Sequence, residues 1–96
     1  MESDTAYFFT LVYQYNELAM IHLGKLAGPE GKPMPVNLDA ARYTIDFLEM
    51  IERKTKGNLS DDEDRMLKQT LINLRLNFVE ELKRQNSPKD ETTEQN

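Results

Sequence analysis

Apolar residues recur along most of this chain at spacings of three and four, the period of an α-helix. Strand-like alternation is absent. Three helical stretches follow from the pattern. The first runs from about residue 4 to residue 26, with Ser3 or Asp4 as its N-cap. Ala27-Gly28-Pro29 ends it, and Gly28 to Pro35 holds two glycines and three prolines, which no helix tolerates. Pro33 and Pro35 bracket Met34 and favour an extended path. A second helix starts after Asn37, a good N-cap, and is expected over residues 38–56. Arg53, Lys54 and Lys56 suit its C-terminal dipole, and Gly57 is the natural left-handed residue beyond it. A third helix is expected over residues 61–85, opened by Ser60 and Glu63 as a capping box.

The turn between the second and third helices is short, so these two form an antiparallel hairpin. The longer Pro/Gly loop leaves the first helix free to pack back or to reach a neighbour. The fold class is therefore all-α: a single helical domain over residues 1–85, followed by a polar tail, residues 86–96, expected to be disordered.

Each helix carries more apolar width than a small bundle needs. At ~100° per residue the first helix spreads Tyr7, Phe8, Phe9, Leu11, Val12, Tyr13, Tyr15, Leu18, Met20 and Leu23 over roughly two thirds of its circumference. The second helix shows a broad apolar face and a narrow polar ladder of Asp39, Arg42, Asp46, Glu49 and Arg53, read as a solvated face. The third shows two seams: Leu67, Leu71, Leu74, Phe78 and Leu82 form one, and Ile72, Leu76 and Val79 form a second. One seam is enough for a three-helix core, so the second asks for another surface. The economical expectation is a dimeric helical bundle, a homodimer with Phe8, Val12, Tyr15, Ile72, Leu76 and Val79 at the interface. An unidentified protein partner is the competing solution.

Length and charge sharpen this. With 96 residues the chain makes one small domain, a size at which partnership often supplies part of the stability. Twelve basic and seventeen acidic residues give a net charge of -5, which argues against nucleic acid and anionic membranes as main partners. The corner at Lys54 to Lys56, even if joined by Lys25, Lys32 and Arg53, is too weak a basic spot to reverse that. There is no cysteine, so thiolate catalysis and Cys-ligated zinc have no residues to work with, and the composition suits a reducing, cytoplasmic setting. The N-terminus lacks a signal-peptide pattern, and no apolar run approaches membrane-spanning length.

Candidate chemistry is sparse. His22 is the only histidine and falls in the apolar arc of the first helix. It reads as a partly buried, satisfied side chain, or as a pH-responsive group. Asn16 sits among Phe9, Val12, Met20 and Leu23, where a polar residue specifies register and oligomer state, or else caps a local backbone group or holds a water. A pocket near His22, Tyr15 and Asn16 would make the chain a small-ligand binder or an enzyme, the alternative to an interaction module. Asp61, Asp62, Glu63 and Asp64 lack the spacing of a calcium loop and read as helix capping. No catalytic set, cofactor motif or metal site is recognised, and no cofactor is expected.

Several stretches carry a family likeness. Phe9-Thr10-Leu11 through Ala19-Met20-Ile21-His22-Leu23-Gly24 is one, and Val36-Asn37-Leu38 through Thr44-Ile45-Asp46 is another. Lys54-Thr55-Lys56-Gly57-Asn58-Leu59-Ser60 is the most specific. With Leu71-x-x-Leu74-Arg75 and Phe78-Val79-Glu80, they resemble the bacterial small-protein family known as domain of unknown function 1844, over about residues 8–81. Phe78 departs from the pattern, which has tyrosine there. The resemblance implies a short cytoplasmic bacterial protein, an uncharacterised role and no catalytic residues to carry over.

Overall fold

The computed structural model describes residues 2–86. Its elements in chain order are α1 (Glu2–His22), a single 3-10 turn (Pro29–Gly31), α2 (Leu38–Lys54) and α3 (Asp61–Asn86). There is no strand among the described residues. Asn86, the first residue of the expected tail, is the last of α3; the rest of that expectation, residues 87–96, lies outside the described residues.

The first helix stops at His22, four residues short of the expected Leu26. Gly24 is the cause. Its φ of 77° is left-handed, its N–H donates to the Ile21 carbonyl at 3.0 Å, and the Lys25 N–H reaches the Met20 carbonyl at 2.8 Å. These two bonds make a Schellman stop centred on a glycine. The glycine is required for a second reason: a Cβ built on Gly24 would lie 2.9 Å from Val36 Cγ2. The chain entering α2 therefore packs directly on the end of α1, and the Asn37 N–H donates to the His22 carbonyl at 2.8 Å.

Asn37 then caps α2, its side-chain oxygen accepting from the Ala40 N–H at 3.0 Å. α2 closes at Lys54 rather than Lys56, because Thr55 caps it. The Thr55 N–H and hydroxyl both bond the Ile51 carbonyl, at 3.0 and 2.7 Å. Gly57 follows with φ 83°. At the start of α3 the capping box is reciprocal: Glu63 N–H donates to Ser60 Oγ at 3.2 Å, and Ser60 N–H donates to Glu63 Oε1 at 2.8 Å.

Three links fix the topology. His22 to Asn37 places the end of α1 beside the start of α2. The Thr5 hydroxyl donates to Glu63 Oε2 at 2.7 Å, which puts the starts of α1 and α3 together. Lys25 and Glu80 approach to 3.6 Å at the far end. α1 and α3 thus run parallel, with α2 antiparallel to both, and all three helices pack on one another.

Val12, Ala19, Ile45, Leu48, Leu67, Leu71 and Leu74 form the buried core, with Leu23 and Ala41 buried beside it. Phe8, Leu11, Tyr15, Met20, Ile51, Leu59, Met66 and Phe78 pack around it, half-buried. Each fully buried leucine contributes about 1.5–3 kcal/mol of transfer free energy. The core seam of α3 differs from the sequence expectation at its last step: Leu82 is 39% exposed, and Glu81 takes the inward position at 1%. Positions three and four after Phe78 fall about 60° and 40° to opposite sides of it, so the placement of the other helices, not the period of α3, turns Glu81 inward and Leu82 out.

Candidate contact surface

The two apolar seams of α3 separate cleanly. Leu67, Leu71 and Leu74 are fully buried. Ile72, Leu76 and Val79, spaced by four and three, stand on the outer face and are 49%, 67% and 48% exposed. Helix geometry places the two seams about 140° apart, so one helix cannot bury both in the same core. These three side chains form one contiguous apolar stripe, the kind of surface feature that marks contact sites.

The candidate contact residues on α1 fall differently. Val12 is fully buried within its own chain, which removes it from the contact set. Phe8 and Tyr15 are half-buried against the core, and the Tyr15 ring lies 4.6 Å from the ring of Phe47 on α2. Much of the apolar surface of α1 is thus taken up by α2 on one side and α3 on the other, while Tyr7, Tyr13 and Leu18 stay exposed. The wheel gave its width but not its neighbours, and a helix touching two others needs a wider apolar arc than one lying on a surface.

Beside the stripe lies a groove between α2 and α3, about 270 Å3 in volume, lined by Arg42, Ile45, Asp46, Glu49, Arg75, Phe78 and Val79. Val79 belongs to both surfaces. The groove floor is apolar, and ion pairs edge it. Arg75 Nε bonds Glu49 Oε2 at 3.0 Å, and Arg42 lies 3.5 Å from Asp46 with its guanidinium carbon 5.7 Å from the Phe78 ring centroid. Three of the five ladder residues of α2, Arg42, Asp46 and Glu49, therefore border the groove against α3, with Arg42 and Asp46 still open to water. The ladder spacing alone could not reveal this, because the partners sit on another helix.

A second hollow runs between α1 and α3, past Phe9, Tyr13, Met66, Gln69 and Thr70. A third, about 340 Å3, lies at the α2–α3 turn against Arg53, Lys56, Leu59 and Lys68, with Glu52 and Asp64 in the same wall. Lys68 is held there by Asp64 at 2.7 Å and Glu52 at 3.8 Å. Its bond to the Asp64 carboxylate, then the nearby acidic charge, raise its pKa above the usual 10.5 against an opposing desolvation. The basic residues do not gather into one spot. Lys25 sits where α1 ends, and Arg53, Lys54 and Lys56 sit at the opposite end of the bundle.

Asn16 and His22 are half-buried rather than enclosed. Neither side chain makes a hydrogen bond among the described residues. None of the hollows described above is lined by Tyr15, Asn16 or His22. The acidic start of α3 is spent locally: Asp62 pairs with Arg65 at 2.8 Å, Asp64 with Lys68, and Glu63 with Ser60 and Thr5. The Ser60 backbone bond, followed by the Thr5 hydroxyl, holds the Glu63 carboxyl below its ordinary pKa.

Glu81 is the buried charge that the sequence pattern did not flag. Burial by itself raises its pKa, but bonds from Gln85 at 3.1 Å and Arg84 at 3.2 Å, with the charges of Arg84 and Lys25, bring it below the ordinary value. Its signal was present in the sequence as a carboxylate three residues after Phe78 with Arg84 and Gln85 following at i+3 and i+4.

Among the described residues no helix is long and apolar enough to cross a membrane. No curated protein matches the chain, and no solved structure does. The model of one family, described as a domain of unknown function (DUF1844), matches residues 5–80, which takes in all of α2, most of α1 and the whole outer stripe of α3; the chain belongs to that family.

Proposed function

We propose that this is a cytoplasmic protein–protein interaction module whose contact surface is the outer face of α3. The carrying observation is the stripe of Ile72, Leu76 and Val79, three large aliphatic side chains in a row with Leu76 67% exposed. The stripe does not end at a polar margin on its α2 side: Val79 continues it onto the apolar floor of the α2–α3 groove. That continuity matters for size. A stable complex buries about 800 Å2 on each partner. The stripe supplies a centre for such a contact, and the groove with Phe78 and Ile45 supplies the extension.

Association through this face needs no rearrangement of the core, because the stripe and the core seam lie on different sides of one helix. Of the residues expected to mediate self-association, Val12, Phe8 and Tyr15 on α1 are engaged in or against the core, whereas Ile72, Leu76 and Val79 on α3 are all exposed.

Photo-cross-linking inside cells tests this. A benzophenone amino acid at position 76 is expected to give one discrete adduct. The same probe at position 13, an exposed aromatic on α1, is expected to give none. Equal yields from both positions, or no adduct from position 76, would contradict the assignment of the face.

A further inference from the structure

Resting on that reading, we infer that the outer face of α3 takes an amphipathic helix of another protein, one whose short apolar stretch is flanked at both ends by carboxylates, in preference to α3 of a second copy. The argument comes from what borders the stripe. Continuing the spacing of four and three along α3, the line through Ile72, Leu76 and Val79 runs into Gln69 and Arg65 at one end and Lys83 at the other. All three bordering residues are exposed. Arg65 is tied to Asp62 of its own helix. Lys83 has no ionic partner among the described residues. The apolar stretch is thus short, and a cation closes each end.

Pairing α3 with its own copy brings these cations together in either orientation. In the antiparallel register that layers Leu76 against Ile72 of the second copy, Arg65 meets Lys83 of that copy at both ends. In a parallel pair, Arg65 meets Arg65 and Lys83 meets Lys83. Arg75, beside the stripe, adds a third like-charged row, although Glu49 holds it. Like charges across helical seams select against a pairing, and opposite charges select for it. A helix bearing Glu or Asp where Arg65 and Lys83 would face it satisfies both ends and keeps the three apolar layers.

The test uses the full chain and two synthetic helical peptides with the same Leu spacing, one flanked by glutamates and one by lysines. Binding is followed through the methyl resonances of Ile72, Leu76 and Val79. The acid-flanked peptide is expected to shift these methyls and to bind tighter than the lysine-flanked one, by on the order of tenfold at low salt. Raising the salt should shrink that ratio, and the double variant R65E/K83E should invert it. Equal binding of the two peptides, unaffected by R65E/K83E, would overturn the charge assignment and leave the apolar contact face intact. Failure of both peptides to move the methyls would overturn the contact face together with its partner. A dimer of the free protein that Leu76→Glu dissolves would assign the face to a second copy and overturn this inference.

Discussion

Thr5 and Glu63 are joined across the bundle: the Thr5 hydroxyl donates to Glu63 Oε2 at 2.7 Å while Oε1 of the same carboxylate accepts the Ser60 N–H. One side chain therefore caps α3 and pins the start of α1 beside it. Thr5→Val is expected to cost about 0.5–1.5 kcal/mol, the net worth of one hydrogen bond. Glu63→Ala loses the capping arm as well and is expected to cost more. Urea unfolding of both variants checks the order; equal losses would mean that the capping arm adds nothing, and an unchanged Thr5→Val would mean that the interhelical bond contributes nothing.

The acid limb of stability should carry the signature of two carboxylates. Glu63 and Glu81 both titrate below the ordinary glutamate value of 4.5 in the folded protein. The unfolded chain then binds more protons than the native one as pH falls through that value. Their contribution is present above about pH 4.5 and is lost progressively below it. Glu63→Gln and Glu81→Gln should each flatten the fall in urea midpoint between pH 5 and pH 3. Lys68 acts in the opposite direction: its contribution is complete below pH 10.5 and is lost as pH rises past its elevated folded value. A wild-type acid limb matched by both glutamine variants would contradict this.

Gly24 and Gly57 both have positive φ, but only Gly24 has a close neighbour in front of it. Gly57→Ala should cost the backbone term alone, about 1–2 kcal/mol. Gly24→Ala should cost that and the displacement of Val36. Adding Val36→Ala to Gly24→Ala should recover part of the excess; the comparison with Val36→Ala alone, by a double-mutant cycle, isolates the contact.

The two seams of α3 predict opposite mutational responses. Leu71→Ala opens the core and should cost about 2–5 kcal/mol. Leu76→Ala removes an exposed side chain and should stay within about 0.5 kcal/mol of wild type. Comparable losses at the two positions, measured by thermal unfolding, would mean that Leu76 is covered in the isolated chain.

Much of this architecture is legible in the sequence because the signals are local. Asn37 caps α2 through Ala40, and Ser60 with Glu63 opens α3, as their spacing requires. The second seam of α3 is visible as a line of apolar residues that a single core cannot use. What escapes the sequence is relational. Gly24 stops α1 through local bonds to Ile21 and Met20, but the second demand for glycine there comes from Val36 arriving from twelve residues away. Val12 and Ile72 are both aliphatic residues on a wheel, and only the positions of the other helices place one inside and the other outside. Glu81 and Leu82 flank the core line of α3 on opposite sides, and only the placement of the other helices buries the carboxylate and exposes the leucine. Glu49 with Arg75, and Arg42 with Phe78, join different helices and leave no mark in either helix's own period.

The most direct measurement is molar mass in solution, by light scattering over a wide concentration range, for the wild type and for Leu76→Glu. With the outer face of α3 waiting for another protein, both should stay at the 11.2 kDa of a single chain throughout. A stable wild-type dimer would contradict the account: dissolved by Leu76→Glu, it would assign the face to a second copy, and persisting in Leu76→Glu, it would place the associating surface elsewhere.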